Sequence, residues 1–551
     1  LNSEMAHSDS RIELKSRLFY DRKAGRYEFA DLEGTLDGTA AGFSNLDLNF
    51  KGSLDSHPAQ ELLLAENFLV TGSGNYGQRS FTARLAVPKL QYAKGLVSGS
   101  QPTLDATLSQ FDEKWATTLQ MPAFEFANHI FKAAELGADF DFKSEGRTLQ
   151  GKLSSPVSMD FETTPKLQLS AIALDMSAKH PMLAGELSAK ASGRMNADFS
   201  EQNANLNFKA KFDDSEITGA IALKDFSHPA YTLDLNINRL QLDRYIAADW
   251  IKRYQDNATP FDLTGLKSMN LSGSLHAGEI RMAKLEAKKL AAGIKIEQST
   301  ITIEPLTAKL YGGAMTGSIS ATAQDIPQIA FKQNLKGFLM NAMLADTASA
   351  GKLTGKGDLS IDISAEGGSI GALRKTLNGS VALVLGRGSL AGIDLRSALI
   401  EGNDDLGTGS KPRVHAALFT EKTDFSGLKA VFNIKDGSSN GNGFDMRSPL
   451  FRIAGEGDLA LDTGNIDYQL TAAVASKLTR RNAGELAEMK GVAVPVRVSG
   501  PWAAPSIALD FAAASGSIVT KRLAAKAAEQ AAAAKPAAAP KKRATKKAVK
   551  K

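Results

Sequence analysis

The sequence predicts a mostly-β chain of antiparallel strands, and three observations carry that expectation. Apolar and polar residues alternate with period 2 along most of the chain, most densely from about Ala430 to Phe511. The alternating runs are punctuated by Gly, Asn, Asp and Pro, with 48 Gly in 551 residues. Helical spacing is confined to a few short stretches. Alternation gives each strand one apolar and one polar face, and tight turns between consecutive runs make neighbours antiparallel.

In chain order, Leu46, Leu48 and Phe50 alternate ahead of Lys51-Gly52, and Phe81, Ala83, Leu85 and Val87 alternate ahead of Pro88. Phe124–Leu136 reads as either a short helix or a buried strand, because Phe124, Ile130, Phe131 and Ala134 fit helical spacing only partly. Strand runs resume at Phe140 and Phe142, Leu167–Leu174, and Leu206, Phe208, Ala210 and Phe212. Prolines stand just ahead of alternating runs at positions 58, 165, 181, 229, 327 and 505. A fixed φ suits the turn there, and the missing N–H damages no ladder that has not yet begun.

Helices are expected at Asp243–Asn257, where Asp243 caps a stripe of Tyr245, Ile246 and Trp250, and at Ser369–Leu377, stopped by Asn378-Gly379. Shorter ones are expected at Asp394–Glu401 and Arg480–Lys490, all as edge or end plugs on the sheet. The final alternating runs are Ala430, Phe432 and Ile434, then Ile453–Leu461, Ile466–Ala472, Val492–Val498 and Ile507–Leu509. Ser515–Ala534 reads as an Ala-rich helix, and Pro/Ala/Lys low complexity follows with too little apolar bulk to fold. The domain division expected is 1–242 as an N-terminal β-rich repeat region, 243–265 as helix and linker, 266–514 as a C-terminal β region, and 515–551 as a basic tail.

Composition narrows the function. The chain has no Cys, so disulfides and thiol chemistry are excluded. The net charge of +5 is uneven: Lys521–Lys551 holds 11 basic residues and 1 acidic residue, a net of +10, which leaves residues 1–520 at −5. The body therefore has no charge reason to bind nucleic acid. Three readings stay open for the tail: docking on anionic lipid headgroups, phosphate contact, or a solvated tail with no specific partner. No stretch of 18 apolar residues is present, and no signal peptide is visible.

No motif completes an active site, so no enzyme and no cofactor is expected. Gly72-Ser73-Gly74-Asn75-Tyr76-Gly77 matches a dinucleotide fingerprint, but an alternating run follows where a helix is required, so a glycine hairpin is the better reading. His57, His180 and His228 each precede proline and are far apart, which suits turn histidines better than a metal set. The oxygen ligands in Asp436–Asp445 have the wrong order for a calcium loop. Asp213-Asp214 and Asp404-Asp405 point to opposite faces if extended, and His415 with Arg413 has no nucleophile to serve.

A large sheet with one apolar face must pack on a second sheet, close into a barrel, or curl around something apolar. Sequence patterning alone leaves these open, although the expected helices and the basic tail weigh against an outer-membrane barrel. A resemblance narrows the choice. Leu242-Asp243-Arg244-Tyr245, Leu310-Tyr311-Gly312-Gly313, Thr423–Ala430, Gly455-Glu456-Gly457-Asp458-Leu459, Asp467-Tyr468 and Pro495–Gly500 with Pro505 resemble the AsmA family, over roughly Leu233–Phe511. The resemblance implies a long twisted antiparallel sheet curled into an elongated apolar groove. It also implies a periplasmic protein held to the inner membrane of a Gram-negative bacterium by a helix ahead of Leu1, with a part in outer-membrane biogenesis.

The partner it implies is phospholipid or another acyl lipid, carried between the two membranes. The alternative is a non-catalytic scaffold that binds envelope proteins by strand addition during outer-membrane protein assembly. Candidate groove-lining residues are Phe208, Phe212, Leu233, Leu235, Ile237, Ile361, Ile363, Phe432, Ile434, Leu459 and Leu461.

Overall fold

Strands form where the alternation places them. The computed structural model describes residues 9–40, 42–246, 258–261, 263–267, 269–282, 284–345, 352–405, 411–416, 418–460, 464–501, 504–514, 524–525, 528 and 530–531. Among these are 32 strands, β1 to β32 in chain order, and a few short helices: α1 (Thr264–Lys267), α2 (Met340–Ala345), α3 (Ile370–Lys375), α4 (Leu395–Glu401) and α5 (Arg480–Ala483). A very large mixed sheet takes 30 strands, and β24 (Gly388–Gly392) with β26 (Leu418–Phe425) makes a two-stranded ribbon. The chain divides into two compact units. One comprises Leu1–Leu310, Ala314–Gln333 and Ala365–Leu373, the other Tyr311–Gly313, Asn334–Ser364 and Arg374–Lys551.

In the first unit, β1 (Asp9–Asp21) pairs with β2 (Arg26–Ala40), β2 with β3 (Phe43–His57), and so on down the chain. The long β5 (Arg79–Ala93) pairs with β6 (Leu96–Ser100) at one end and β7 (Thr103–Gln110) at the other. Likewise β10 (Ile130–Ser144) takes β8 (Glu113–Gln120) and β9 (Ala123–Ala127). Phe124–Leu136 is thus two strands and no helix. Asn128 and His129 both have positive φ, 49° and 64°, which is what a two-residue hairpin turn with right-handed strand twist demands. The Gly72–Gly77 segment is a hairpin, running from β4 (Leu62–Tyr76) into β5. Pro229, Pro327 and Pro505 immediately precede β16 (Ala230–Gln241), β21 (Gln328–Leu339) and β32 (Ser506–Leu509).

One pairing departs from the antiparallel expectation: β16 and β17 (Asn270–Met282) run parallel. Parallel neighbours need a crossover of a dozen or more residues, and the segment between them supplies it. Its described part opens with a 3-10 turn, Leu242–Arg244. Tyr245 then packs its ring 4.7 Å from Phe212 and donates to Asp213 at 3.3 Å, while Arg244 pairs with Asp214 at 3.2 Å. The adjacent carboxylates anchor this turn. The expected helix over Asp243–Asn257 otherwise lies outside the described residues. The predicted helices at 369–377 and 394–401 appear as α3 and α4, and α5 continues as a 3-10 turn, Gly484–Met489. Of Ser515–Ala534, residues 524–525, 528 and 530–531 are described and helical.

Carboxylates close several hairpins of the first unit. Asp198 accepts from the N–H of Ser200 and of Glu201 at 3.0 and 3.1 Å and from the Ser200 hydroxyl at 2.7 Å. The Glu201 N–H foremost, then the Ser200 hydroxyl, pull its pKa down to about 2 from an ordinary 3.8. A depressed carboxylate stabilises the fold above its unfolded value, and that contribution fades as pH falls from about 4 through 2. Thermal melts across that window are expected to show a smaller acid-induced drop in Asp198→Asn than in the parent. Identical pH profiles would refute the assignment.

In the second unit, β22 (Lys356–Glu366) pairs with β23 (Asn378–Leu385) and β23 with β27 (Gly427–Lys435). The series continues through β28 (Ser438–Arg447), β29 (Phe451–Ala460), β30 (Asn465–Val474), β31 (Ala493–Pro501) and β32, to β25 (Arg413–Ala416) at the edge. A bulge in β28 shifts the register between Ser439 and Asn442. Both residues are fully buried. The Ser439 hydroxyl donates to Asn433 O at 2.8 Å, the Asn433 N–H donates to Asn442 Oδ1 at 2.9 Å, and Asn442 Nδ2 donates to Ser439 O at 2.9 Å. This knot satisfies backbone groups that the bulge removes from the ladder. Asn442→Ala leaves them unpaired and is expected to cost about 1–3 kcal/mol in chemical denaturation, while an effect under a few tenths would refute that role.

Candidate functional site

The first unit displays the alternation in space. Residues directly opposite one another in neighbouring strands share a face, so the registers can be followed from strand to strand. One row reads Ile237, Ile217, Ala210, Ala191, Leu174, Leu153, Ala138, Leu119, Leu104, Leu85, Val70, Phe50, Gly34, Leu14, from β16 to β1. No polar side chain interrupts it. The row one residue along, on the opposite face, reads Glu216, Lys211, Lys190, Asp175, Lys152, Asp139, Thr118, Asp105, Arg84, Thr71, Asn49, Thr35, Glu13. A slip of one residue in any pair would exchange the faces. Cross-strand ion pairs staple the polar side, Lys190–Asp175 and Lys152–Asp139 both at 3.3 Å.

The apolar row is neither sealed nor open. From Phe50 to Ile237 its members are half-buried, and at the edge strand Leu14 is 64 % exposed. Among the described residues of this unit no second sheet lies over the face, since the ribbon of β24 and β26 belongs to the other unit. The exposure that remains is a continuous oily surface one layer thick. Glycines keep it even. Leu235 Cδ2 and the Phe208 ring fold over Gly219 from either side, 2.7 and 3.3 Å from where a Cβ would stand.

In the second unit the curled sheet and the ribbon of β24 and β26 surround a cavity of about 590 Å³. Its wall includes Val381, Leu383, Leu428, Phe432, Ile434, Leu459, Ile466, Leu470, Val498 and Ile507, and no charged side chain. The Tyr468 hydroxyl, the polar group on the wall, bonds the Asn442 side chain; burial first of all raises its pKa, and Asp458 adds to this. The phenol stays neutral at any physiological pH.

Burial is graded along each strand. At one end Met446, Ala472 and Val494 are fully buried, as are Leu399 of α4 and Leu486 and Met489 of the 3-10 turn after α5. At the other end Ile434, Leu459, Ile466 and Val498 are only half-buried. The plug is tied down. Asp394 caps α4 by accepting from the Ser397 N–H at 3.2 Å, and the buried Thr423 accepts from Leu395 N–H at 3.0 Å and donates to Ile393 O at 2.7 Å.

The candidate lining residues fall on these faces. Phe208, Leu233, Leu235 and Ile237 share the apolar face of the first unit, and Phe212 lies on it under Tyr245. Ile361 and Phe432 meet through Val381. Ile363, Gly379, Ile434, Ser439, Leu459 and Ile466 form one register row. Leu461 lies outside the described residues. Sequence reasoning did not single out Val381, Leu470, Val498 or the row from Leu14 to Leu174, although their period-2 runs were the available signal. The three prolyl-adjacent histidines have local partners or turns: His57 lies 3.2 Å from Asp55, His180 Nδ1 accepts from Met182 N–H, and His228 lies 3.5 Å from Asp225. Among the described residues no helix is long and apolar enough to cross a membrane.

Compared with known proteins, residues 185–444, spanning β13 (Leu187–Asp198) into β28, match the AsmA family model. No curated protein matches the chain. The AsmA family is not a known enzyme family. The match over residues 185–444 supports assignment to the AsmA family, bacterial envelope proteins whose family-level role lies in outer-membrane assembly and lipid transport.

Proposed function

We propose that this protein is a non-catalytic carrier of phospholipid, which moves with its acyl chains against the apolar β-face between the inner and outer membranes. In this reading it works in the periplasm and is held at the inner membrane. The observation that carries it is the uninterrupted apolar row from Leu14 to Ile237 on a single-layer sheet. Each acyl CH₂ left in water costs about 0.8 kcal/mol, so two chains of a phospholipid do not cross an aqueous gap unaided. A half-buried strip removes that cost along its length without chemistry. Native mass spectrometry of the detergent-free chain tests this. Co-purifying phospholipid at one or more per chain is expected, and a stable, lipid-free protein would sink the proposal.

A second reading, a scaffold for envelope proteins, has its own observation. Among the described residues β1 pairs only with β2, leaving its outer edge unpaired, and Ile12, Leu14 and Leu18 beside that edge are 68, 64 and 59 % exposed. Such an edge accepts an added strand.

A further inference from the structure

We propose that the second unit is a one-ended pocket that seats a single acyl chain of an anionic amphiphile, chain end against the plug and headgroup at the open lip. The proposal rests on the reading above that the apolar surface takes acyl cargo, and it adds that this unit holds a chain where the first unit would pass one along.

Three features carry it. The first is the grading of burial. From Leu428, 4 % exposed, to the half-buried Phe432 and Ile434, the wall opens in one direction, and at the other the wall residues Leu395 and Ile393 are 2 and 7 % exposed. The second is size. Leu428 to Ile434 spans six residue steps, about 20 Å of strand, which suits one extended long chain lengthwise, and 590 Å³ lies within the range of single-ligand pockets. The third is charge. No ionised group lines the wall, so a charged head finds no partner inside and stays at the lip. At the lip, α3 ends with the exposed Arg374 and Lys375. Arg374 O lies 2.2 Å, and Lys375 Cα 3.1 Å, from the Cβ position built on Gly437, in the turn that follows Ile434 and Lys435. Asp436 is the acid in that turn. Arg374, Lys375 and Lys435 against Asp436 and Asp458 leave the lip of an oily hole net positive, which matches an anionic head on a single tail.

The test uses lysophosphatidylglycerol bearing a diazirine at the end of its chain, photolysed on the intact chain, with labelled residues mapped by peptide mass spectrometry. The expected result is saturable labelling, one per chain, near Leu395 and Leu428. Lysophosphatidylglycerol should compete about fivefold better than lysophosphatidylcholine, and Arg374→Gln with Lys375→Gln should remove that preference but keep the labelling. Ala391→Trp on the ribbon should fill the cavity and abolish labelling there. Leu459→Arg at the lip serves the same purpose if the tryptophan variant does not fold. Labelling confined to the first unit's face would overturn the pocket and leave the carrier standing. Absence of labelling on both units would overturn both. Equal competition by the two lysolipids would overturn the placement of the head.

Discussion

Leu235→Asp is expected to strip phospholipid from the purified protein, and Asn236→Asp, one residue away, is expected to leave it bound. Leu235 lies on the apolar face with Phe208 across Gly219, and Asn236 points to the polar side opposite Thr218. Both positions are on β16 and neither is sealed in a core, so each variant keeps its ladder bonds and its fold. The difference lies in what the carboxylate meets. On the polar side it joins a hydrated surface. On the apolar side an acyl chain crossing the strip must desolvate the charge or detour around it, leaving two or more CH₂ groups unsheltered at about 0.8 kcal/mol each. A loss on the order of tenfold in bound lipid follows at about 1.4 kcal/mol per factor of ten. Ile363→Asp provides the same comparison in the second unit. The measurement is phospholipid per chain by native mass spectrometry, with circular dichroism to confirm folding. If Leu235→Asp and Asn236→Asp retain equal lipid, the cargo does not lie on this face, and strand addition at the edge of β1 becomes the better account of the protein.

That one-residue contrast was legible in the sequence because side-chain direction in a strand follows period 2 without reference to partners. The choice of Phe208, Leu233, Leu235 and Ile237 as one face needed only alternation. What needed the structure was register. Ile434 and Leu459 reach the same row through Ser439 only because β28 carries a bulge, and a bulge shows in sequence as nothing more than Asn440, Gly441 and Asn442 in a polar run. The parallel pairing of β16 with β17 was hidden for a related reason: which strand a crossover returns beside depends on its path, not on the alternation in either strand. Phe124–Leu136 was ambiguous because its apolar residues fit two periods, and Asn128-His129 was the turn signal that separates them. The plug was half legible. Asp394 as a cap and the spacing in Arg480–Lys490 predict short helices, but the complete burial of Leu399, Leu486 and Met489 is a fact of tertiary packing.

The plug is where a small deletion should do most. Leu399 of α4 and Leu486 of the 3-10 turn after α5 are each 0 % exposed, and Leu395 of the same α4 lines the second unit's cavity. Leu→Ala at such a site loses the transfer free energy of the removed carbons and leaves a void that α4, held by the Asp394 cap and by Thr423, is poorly placed to fill. The expected cost for Leu399→Ala or Leu486→Ala is about 2–5 kcal/mol in chemical denaturation. Because α4 packs with the 3-10 turn that bears Leu486, the double variant should fall short of additivity: once one side chain is gone, the other has lost part of its packing. The same void has a functional consequence. Leu399 stands one helical turn from Leu395, which lines that end of the wall, so its loss should let the wall give there and lengthen the preferred acyl chain by a few carbons, while the preference for an anionic head, set at the opposite lip, stays unchanged. Competition by lysophosphatidylglycerols of graded chain length reads both. A variant destabilised as expected but unchanged in length preference would mean that the chain does not reach the plug, and the pocket would have to be read as open at both ends.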